Sequence, residues 1–263
     1  VSEVATTQLS SHLGVPVKIG NVDIEWFNRL VLEGLYLEDQ DGKVMFEANH
    51  VAAGFEIMPL LEGKFVFTTV RLFGFSFNLR KHTPKSPLNL QFVIDAFASK
   101  DSIKKEKNID LRFNSIMIRR GNFSYHVDSE KETPGKFNAK HIDIKNLSAK
   151  ISLKAFNKDS VNAHIKKMSF DEASGFSLNK LSLNVVGNRD SAFVQDFKVR
   201  LPQTDLKIGR ARINLSEIDS LPALLNNAPI DLNITPSQIC LKDLSPFVPV
   251  FKNFADTIEL SAE

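Results

Sequence analysis

A chain whose strands change side-chain parity partway along cannot lay down a flat, two-faced sheet, and this sequence changes parity repeatedly. Two alternating apolar positions, two intervening residues and two more alternating apolar positions recur seven times. The steps run Val17/Ile19 to Val22/Ile24, Phe65/Phe67 to Val70/Leu72, and Leu111/Phe113 to Ile116/Ile118. The other four are Ile142/Ile144 to Leu147/Ala149, Ala163/Ile165 to Met168/Phe170, Phe176/Leu178 to Leu181/Leu183, and Leu206/Ile208 to Ala211/Ile213. Side chains of an extended strand alternate between faces, so one added residue sends everything after it to the other side. Keeping both halves on one face requires either a tight hairpin at each step or a bulge or bend inside a longer strand. The strongest turn signals lie between the steps, at Asp39-Gln40-Asp41-Gly42, Asn157-Lys158-Asp159, Glu172-Ala173-Ser174-Gly175, Gly187-Asn188-Arg189-Asp190 and Pro202-Gln203-Thr204-Asp205. Their spacing of about a dozen residues is the rhythm of an antiparallel meander, which favours bends within long strands over hairpins at the steps.

The expected fold is therefore mainly β: an elongated, curled antiparallel sheet forming an open, β-taco-like groove, with a few short helices. Helical spacing of Val1, Val4, Ala5, Leu9 and Leu13, stopped by Gly14 and Pro16, predicts a helix near 1–13. Ser-Pro starts and apolar spacing predict others near 87–99 and 245–255, and Ser216 opens one over 217–226. A strand is expected from Asn108 to Asp128, interrupted near Asn114, and 128–136 reads as a polar loop. The whole of 1–263 reads as one elongated module whose sub-boundary, if there is one, falls at that loop. The start at Val1 and the end in mid-alternation (Ile258-Glu259-Leu260-Ser261) read as cut ends of a longer protein.

Charge excludes one class of partner. With 33 basic residues against 31 acidic and a net charge of +2, there is no basic stripe of the kind nucleic-acid binding needs. The only Cys, Cys240, excludes an internal disulfide and any Cys-based zinc site, and its Ile239/Leu241 neighbours predict a buried structural thiol. The aromatic set is 21 Phe against 2 Tyr and 1 Trp, which leaves an apolar interior without polar handles. Such a surface suits acyl chains and suits an ordinary core equally. No window of about 18 apolar residues exists, and no secretory signal pattern.

The search for chemistry finds no catalytic, cofactor-binding or metal-ligating set. The six histidines (His12, His50, His82, His126, His141, His164) form no i, i+4 pair on a helix and no His-Glu-x-x-His. There is no nucleophile elbow, Walker loop or Gly-x-Gly-x-x-Gly. Asp39, Asp41 and Gly42 lack the later ligands of a calcium loop and read as a turn.

The stretch Leu13-Gly14-Val15-Pro16-Val17-Lys18-Ile19-Gly20-Asn21-Val22-Asp23-Ile24 resembles the opening of AsmA-like proteins. Leu30-Val31-Leu32-Glu33-Gly34-Leu35-Tyr36-Leu37-Glu38-Asp39, Leu60-Leu61-Glu62-Gly63-Lys64, Asn89 to Phe97 and Leu241 to Phe247 are similar to the TamB-type translocation and assembly modules. The resemblance spans most of the chain and rests on fold-signature strings. It implies a periplasmic β-groove in a Gram-negative cell envelope, held at the inner membrane by a segment outside this sequence. It also implies phospholipid transport between inner and outer membrane, with no enzymatic step and no cofactor. An older role in the assembly of outer-membrane proteins or autotransporters beside a barrel partner is the alternative, and a scaffold would act there by β-augmentation at sheet edges.

If the parity steps mark bends, their apolar members should line one lipid-facing surface. In the more regular half these are Ile142, Ile144, Leu147, Ile151, Ile165, Met168, Phe170, Phe176, Leu178, Leu181, Leu183, Leu206, Ile208 and Ile213. Lys145, Lys150, Lys166, Asn179 and Lys207 should point away. Phospholipid acyl chains are the expected partner.

Overall fold

The computed structural model describes residues 2–26, 28–57, 67–97, 113–156, 159–214 and 230–262. The fold is mainly β, as the alternation predicts. Helix α1 (Ser2–Leu13) is followed by β1 (Val17–Lys18), β2 (Asn21–Glu25), β3 (Arg29–Glu38), β4 (Val44–Phe55) and β5 (Phe67–Lys81). A second helix, α2 (Gln91–Phe97), precedes β6 (Phe113–Val127), β7 (His141–Phe156), β8 (Ser160–Glu172), β9 (Ser177–Asn188) and β10 (Ser191–Arg200). Then come β11 (Asp205–Asn214), β12 (Ile230–Cys240), 3-10 turns at Leu241–Leu244 and Pro249–Asn253, and β13 (Thr257–Ala262). All thirteen strands belong to one sheet, in chain order from β3 onward, with β1 and β2 both paired to β3 and β13 at the far end of the path. The path does not close on itself.

The chain divides into two compact units, and the boundary cuts across β6, β7 and β8. Unit 1 holds Val1–Lys107, Met117–Ser148 and Asp171–Gly175, and unit 2 holds Asn108–Ile116, Ala149–Phe170 and Phe176–Glu263. The 128–136 loop lies inside unit 1.

In unit 1 the parity change has a visible cause. Gly34 in β3 and Gly74 in β5 have φ of +60° and +58°, and both lie opposite Asn49 of β4, between the pairs Leu35/Ala48/Phe75 and Glu33/His50/Phe73. A left-handed residue inside a strand reverses the facing of the residues after it, and glycine does so without a Cβ penalty. The line continues through Gly20, whose N–H donates to the Glu33 carbonyl, and on to Arg120 in β6 and Asn146 in β7, with φ of 52° and 56°. Gly121 sits where a Cβ would collide with the Phe75 ring, so β6 and that ring approach as closely as the backbone allows. In unit 2 the corresponding line passes through Asp196 (φ 53°), which faces Gly209 between the pairs Gln195/Arg210 and Phe197/Ile208. Register slips beside Asp196 on the β9 side and beside Gly209 on the β12 side mark the same crease.

No hairpin sits at any step whose residues are described, and a crease residue falls in three of the steps; β8 carries no left-handed residue, and in β9 the register slips between Ser182 and Asn184, past the step read at 179–180. Gly20, Asn146 and Gly209 fall within predicted steps. In β6, however, the strand passes through Asn114 without interruption and the left-handed residue is Arg120. In β5 it is Gly74, later than the step read at 68–69.

Helix α1 ends as expected, Gly14 (φ +69°) donating to the Ser10 carbonyl. Ser10 Oγ bonds both the N–H and the carbonyl of Val17, at 3.0 and 3.2 Å, and so ties the helix to β1. The helix predicted at 87–99 starts later, at Gln91, because the Asn89 N–H donates to the Arg80 carbonyl, the Asn89 side-chain Oδ1 accepts from the Arg80 N–H, and a Thr83/Ser86 turn precedes it. The one predicted at 245–255 is instead broken 3-10 turns, since Pro249 cannot donate inside a helix. The helix at 217–226 and the strand over 108–112 lie outside the described residues.

Candidate functional site

The strands leave large apolar side chains only half covered. In unit 2 the buried apolar residues, among those described, are Ala149, Leu178, Leu201, Ala211 and Cys240. Two sheets packed face to face interdigitate their inner side chains into a dry core, and a set this small, made largely of small residues, is not one. The bulky groups stand in cross-strand rows instead. Leu181, Val199 and Leu206 are directly opposite one another on β9, β10 and β11, and Phe197, Ile208 and Ile234 form a second row across β10, β11 and β12. All six are half-buried.

The predicted lipid-facing residues fall in both units. Ile142, Ile144 and Leu147 belong to unit 1 and the other eleven to unit 2. Ile142, Ile144, Leu147, Ile151, Ile165, Met168, Phe170, Phe176, Leu181, Leu183, Leu206 and Ile208 are half-buried. Leu178 is buried at 6% exposure and joins the small core. The Ile213 side chain lies outside the described set. Lys145, Lys150, Lys166 and Asn179 are exposed as expected, whereas Lys207 is half-buried and paired with Asp205. Phe170, Phe176 and Phe247 form an aromatic chain, with ring centroids 6.1 and 5.0 Å apart. Phe247, Val248, Val250 and Phe254 around the second 3-10 turn are all exposed. The other face carries apolar groups too: Val186 and Phe193 are paired and exposed, with Arg212 over the Phe193 ring.

Along the unit 2 crease the side chains are polar. His164 Nδ1 bonds Asn184 Oδ1, and Asn184 Nδ2 donates to Asp196 at 3.0 Å. The unit 2 crease therefore carries hydrogen-bonding groups, with the Phe197–Ile208–Ile234 row beside it.

Unit 1 holds two polar clusters that the sequence did not announce. Asp39, read as a turn residue, is 2% exposed and organises the β3–β4 turn. Its Oδ1 accepts from the N–H groups of Asp41 and Lys43, and its Oδ2 from Arg80 and Asn89. Burial alone would push this carboxyl up, but the Asn89 hydrogen bond, the two backbone donors and the Arg80 charge outweigh it and hold the pKa below the ordinary value. The second cluster lies at the β6–β7 turn. His126 Nδ1 and His141 Nδ1 are 3.0 Å apart, His126 Nε2 meets Asp143 at 3.0 Å, and His141 Nε2 meets the Glu130 carbonyl at 2.9 Å. His126 thus meets a neighbouring polar atom at each of its ring nitrogens. Among the described residues, His126, Glu132 and His141 are the group that could share a metal ion. Both clusters line one cavity of about 350 Å³. Sequence spacing could not pair the histidines, because fifteen positions and a loop separate them.

Cys240 is fully buried, its thiol among the Gln203, Phe254 and Ala255 oxygens, as a structural thiol would be. No helix among the described residues is long and apolar enough to cross a membrane. No protein-family model matches the chain, and no curated protein matches it.

Proposed function

We propose that the chain is a non-enzymatic lipid-binding conduit of the AsmA/TamB-like kind, working in the periplasm in phospholipid transport between inner and outer membrane. The observation that carries this reading is the pair of apolar rows across β9–β12, half-buried, with no second sheet over them among the described residues. Apolar rows each three strands wide, left in contact with water, cost roughly 25 cal/mol for each Å² that an acyl chain would cover. The aliphatic and Phe side chains of these rows accept such chains without stranding a polar group. The sequence resemblance supports the family, the compartment and the inner-membrane tether. The test is native mass spectrometry of the chain expressed in a Gram-negative periplasm. Phospholipid retained on the protein is the expected result; a lipid-free protein that also extracts none from vesicles would overturn it.

A further inference from the structure

The β6–β7 turn forces two histidine lone pairs together. A ring nitrogen that faces a carboxylate or a backbone carbonyl must carry the hydrogen, because neither oxygen can donate. His126 Nε2 faces Asp143 Oδ1 and His141 Nε2 faces the Glu130 carbonyl, so both rings carry their hydrogen on Nε2. Each Nδ1 is left with a lone pair, and the two Nδ1 atoms meet at 3.0 Å. Lone pairs this close need a positive centre between them. A single shared proton is one solution and a metal cation is the other.

Three features favour the metal. Glu132, from the loop between the strands, brings a carboxylate to a set of donor atoms lying within 4.8 Å of one another, and a proton shared by two rings has no place for a third ligand. The groups behind the rings are those that orient metal-ligating imidazoles, a carboxylate on one and a backbone carbonyl on the other. Both supports are themselves fixed: the Asp143 backbone bonds Glu172 Oε1 and the Ala173 N–H, and Glu130 is paired with Lys140 at 3.1 Å. Nitrogens ~2.0–2.1 Å from an ion and 3.0 Å from each other subtend roughly 91–97° at it, a cis pair.

We propose that His126, His141 and Glu132 form a binding site for a divalent transition-metal ion of the zinc, nickel or copper kind, with Asp143 and the Glu130 carbonyl as its outer support. Imidazole with one carboxylate selects such ions over magnesium or calcium. The ion would clamp the base of the β6–β7 hairpin, and because all three ligands line the 350 Å³ cavity, water or a small ligand can reach its remaining positions.

The test is calorimetric titration of the chelator-stripped full chain with Zn2+ and Ni2+, with Mg2+ as the hard-ion control. The expected result is one Zn2+ per chain and no Mg2+ binding. His126→Gln/His141→Gln should abolish binding, Asp143→Asn should weaken it by about 10–100-fold, and His164→Gln should leave it unchanged. Circular dichroism checks folding, and Glu132→Gln, on an exposed loop residue, supplies a variant that folds regardless and should lose about tenfold or more in affinity. Absence of 1:1 Zn2+ binding at about 100 µM protein, with the rings sharing a proton by NMR, would overturn the proposal. So would Zn2+ affinity unchanged in both the double variant and Glu132→Gln.

Discussion

Replacing Leu181 by Asp separates an open apolar wall from a closed core, because a nearby leucine on the same strand supplies the contrast. Leu181 is half-buried in the Leu181–Val199–Leu206 row, while Leu178, three residues earlier on β9, is 6% exposed. Full burial of a leucine contributes about 1.5–3 kcal/mol, so the half-buried one forfeits roughly half of that. A carboxylate at 181 that still reaches water adds only about 1 kcal/mol more, and the sum of ~1.8–2.5 kcal/mol leaves a domain of ordinary stability folded. At position 178 the full leucine contribution is lost and an unpaired charge is desolvated, a cost of ~5 kcal/mol or more that rivals the whole stability. Leu181→Asp should therefore give a cooperative urea transition at a lower midpoint, and Leu178→Asp should not fold. Displacement of a fluorescent fatty acid would then show Leu181→Asp folded but poor in lipid binding, and a photo-crosslinker at Leu181 or Phe170 (with Cys240→Ser) should capture lipid in the periplasm. If Leu181→Asp unfolds like Leu178→Asp and neither position captures lipid, the row is an ordinary core and the conduit reasoning fails.

The geometry dictates three further outcomes. Gly121→Ala should destabilise by about 1–3 kcal/mol in urea denaturation, because its Cβ would overlap Cε1 of the buried Phe75 ring. Asp39→Asn should cost about 3 kcal/mol by breaking a buried ionic network. Since the folded Asp39 pKa is depressed, its stabilisation is full above the unfolded value near ~3.9 and lost as pH falls through the folded one. Wild type should accordingly lose stability below about pH 4 more steeply than the variant. Finally, His164→Ala and Cys240→Ser should each leave fatty-acid affinity within about twofold, since neither side chain belongs to the apolar rows; a large loss in the same displacement assay would point to a discrete site.

Period-two alternation made the strands legible, because side-chain parity is a local property that needs no knowledge of the partner strand. The bends were legible as a class for the same reason, but their positions were less so. Arg120 adopts a left-handed conformation that nothing in its residue type requests, and it is held there by the neighbouring close approach of Gly121 to Phe75 and by its guanidinium over Phe73. Leu178 looked like the half-buried leucines of the same strand, since hydrophobicity alone does not say how deeply a side chain is covered. Asp39 looked like any turn aspartate, and its burial depends on Arg80 and Asn89, which lie 41 and 50 residues away. The His126–His141 contact is a product of strand register across a thirteen-residue connection, information that no single-strand pattern contains.

The crease has a consequence for how such a chain can change length. Asp196 of β10 and Gly209 of β11 face each other within one hairpin, so this pair of strands, Ser191–Arg200 and Asp205–Asn214, carries its own complete bend. A duplicated or deleted hairpin would keep every remaining kink aligned with its neighbours, whereas loss of a single strand would reverse the direction of every later strand. Length in this architecture is therefore inherited in steps of two strands, and a lineage can lengthen or shorten the sheet by whole hairpins without inventing a new way to bend it.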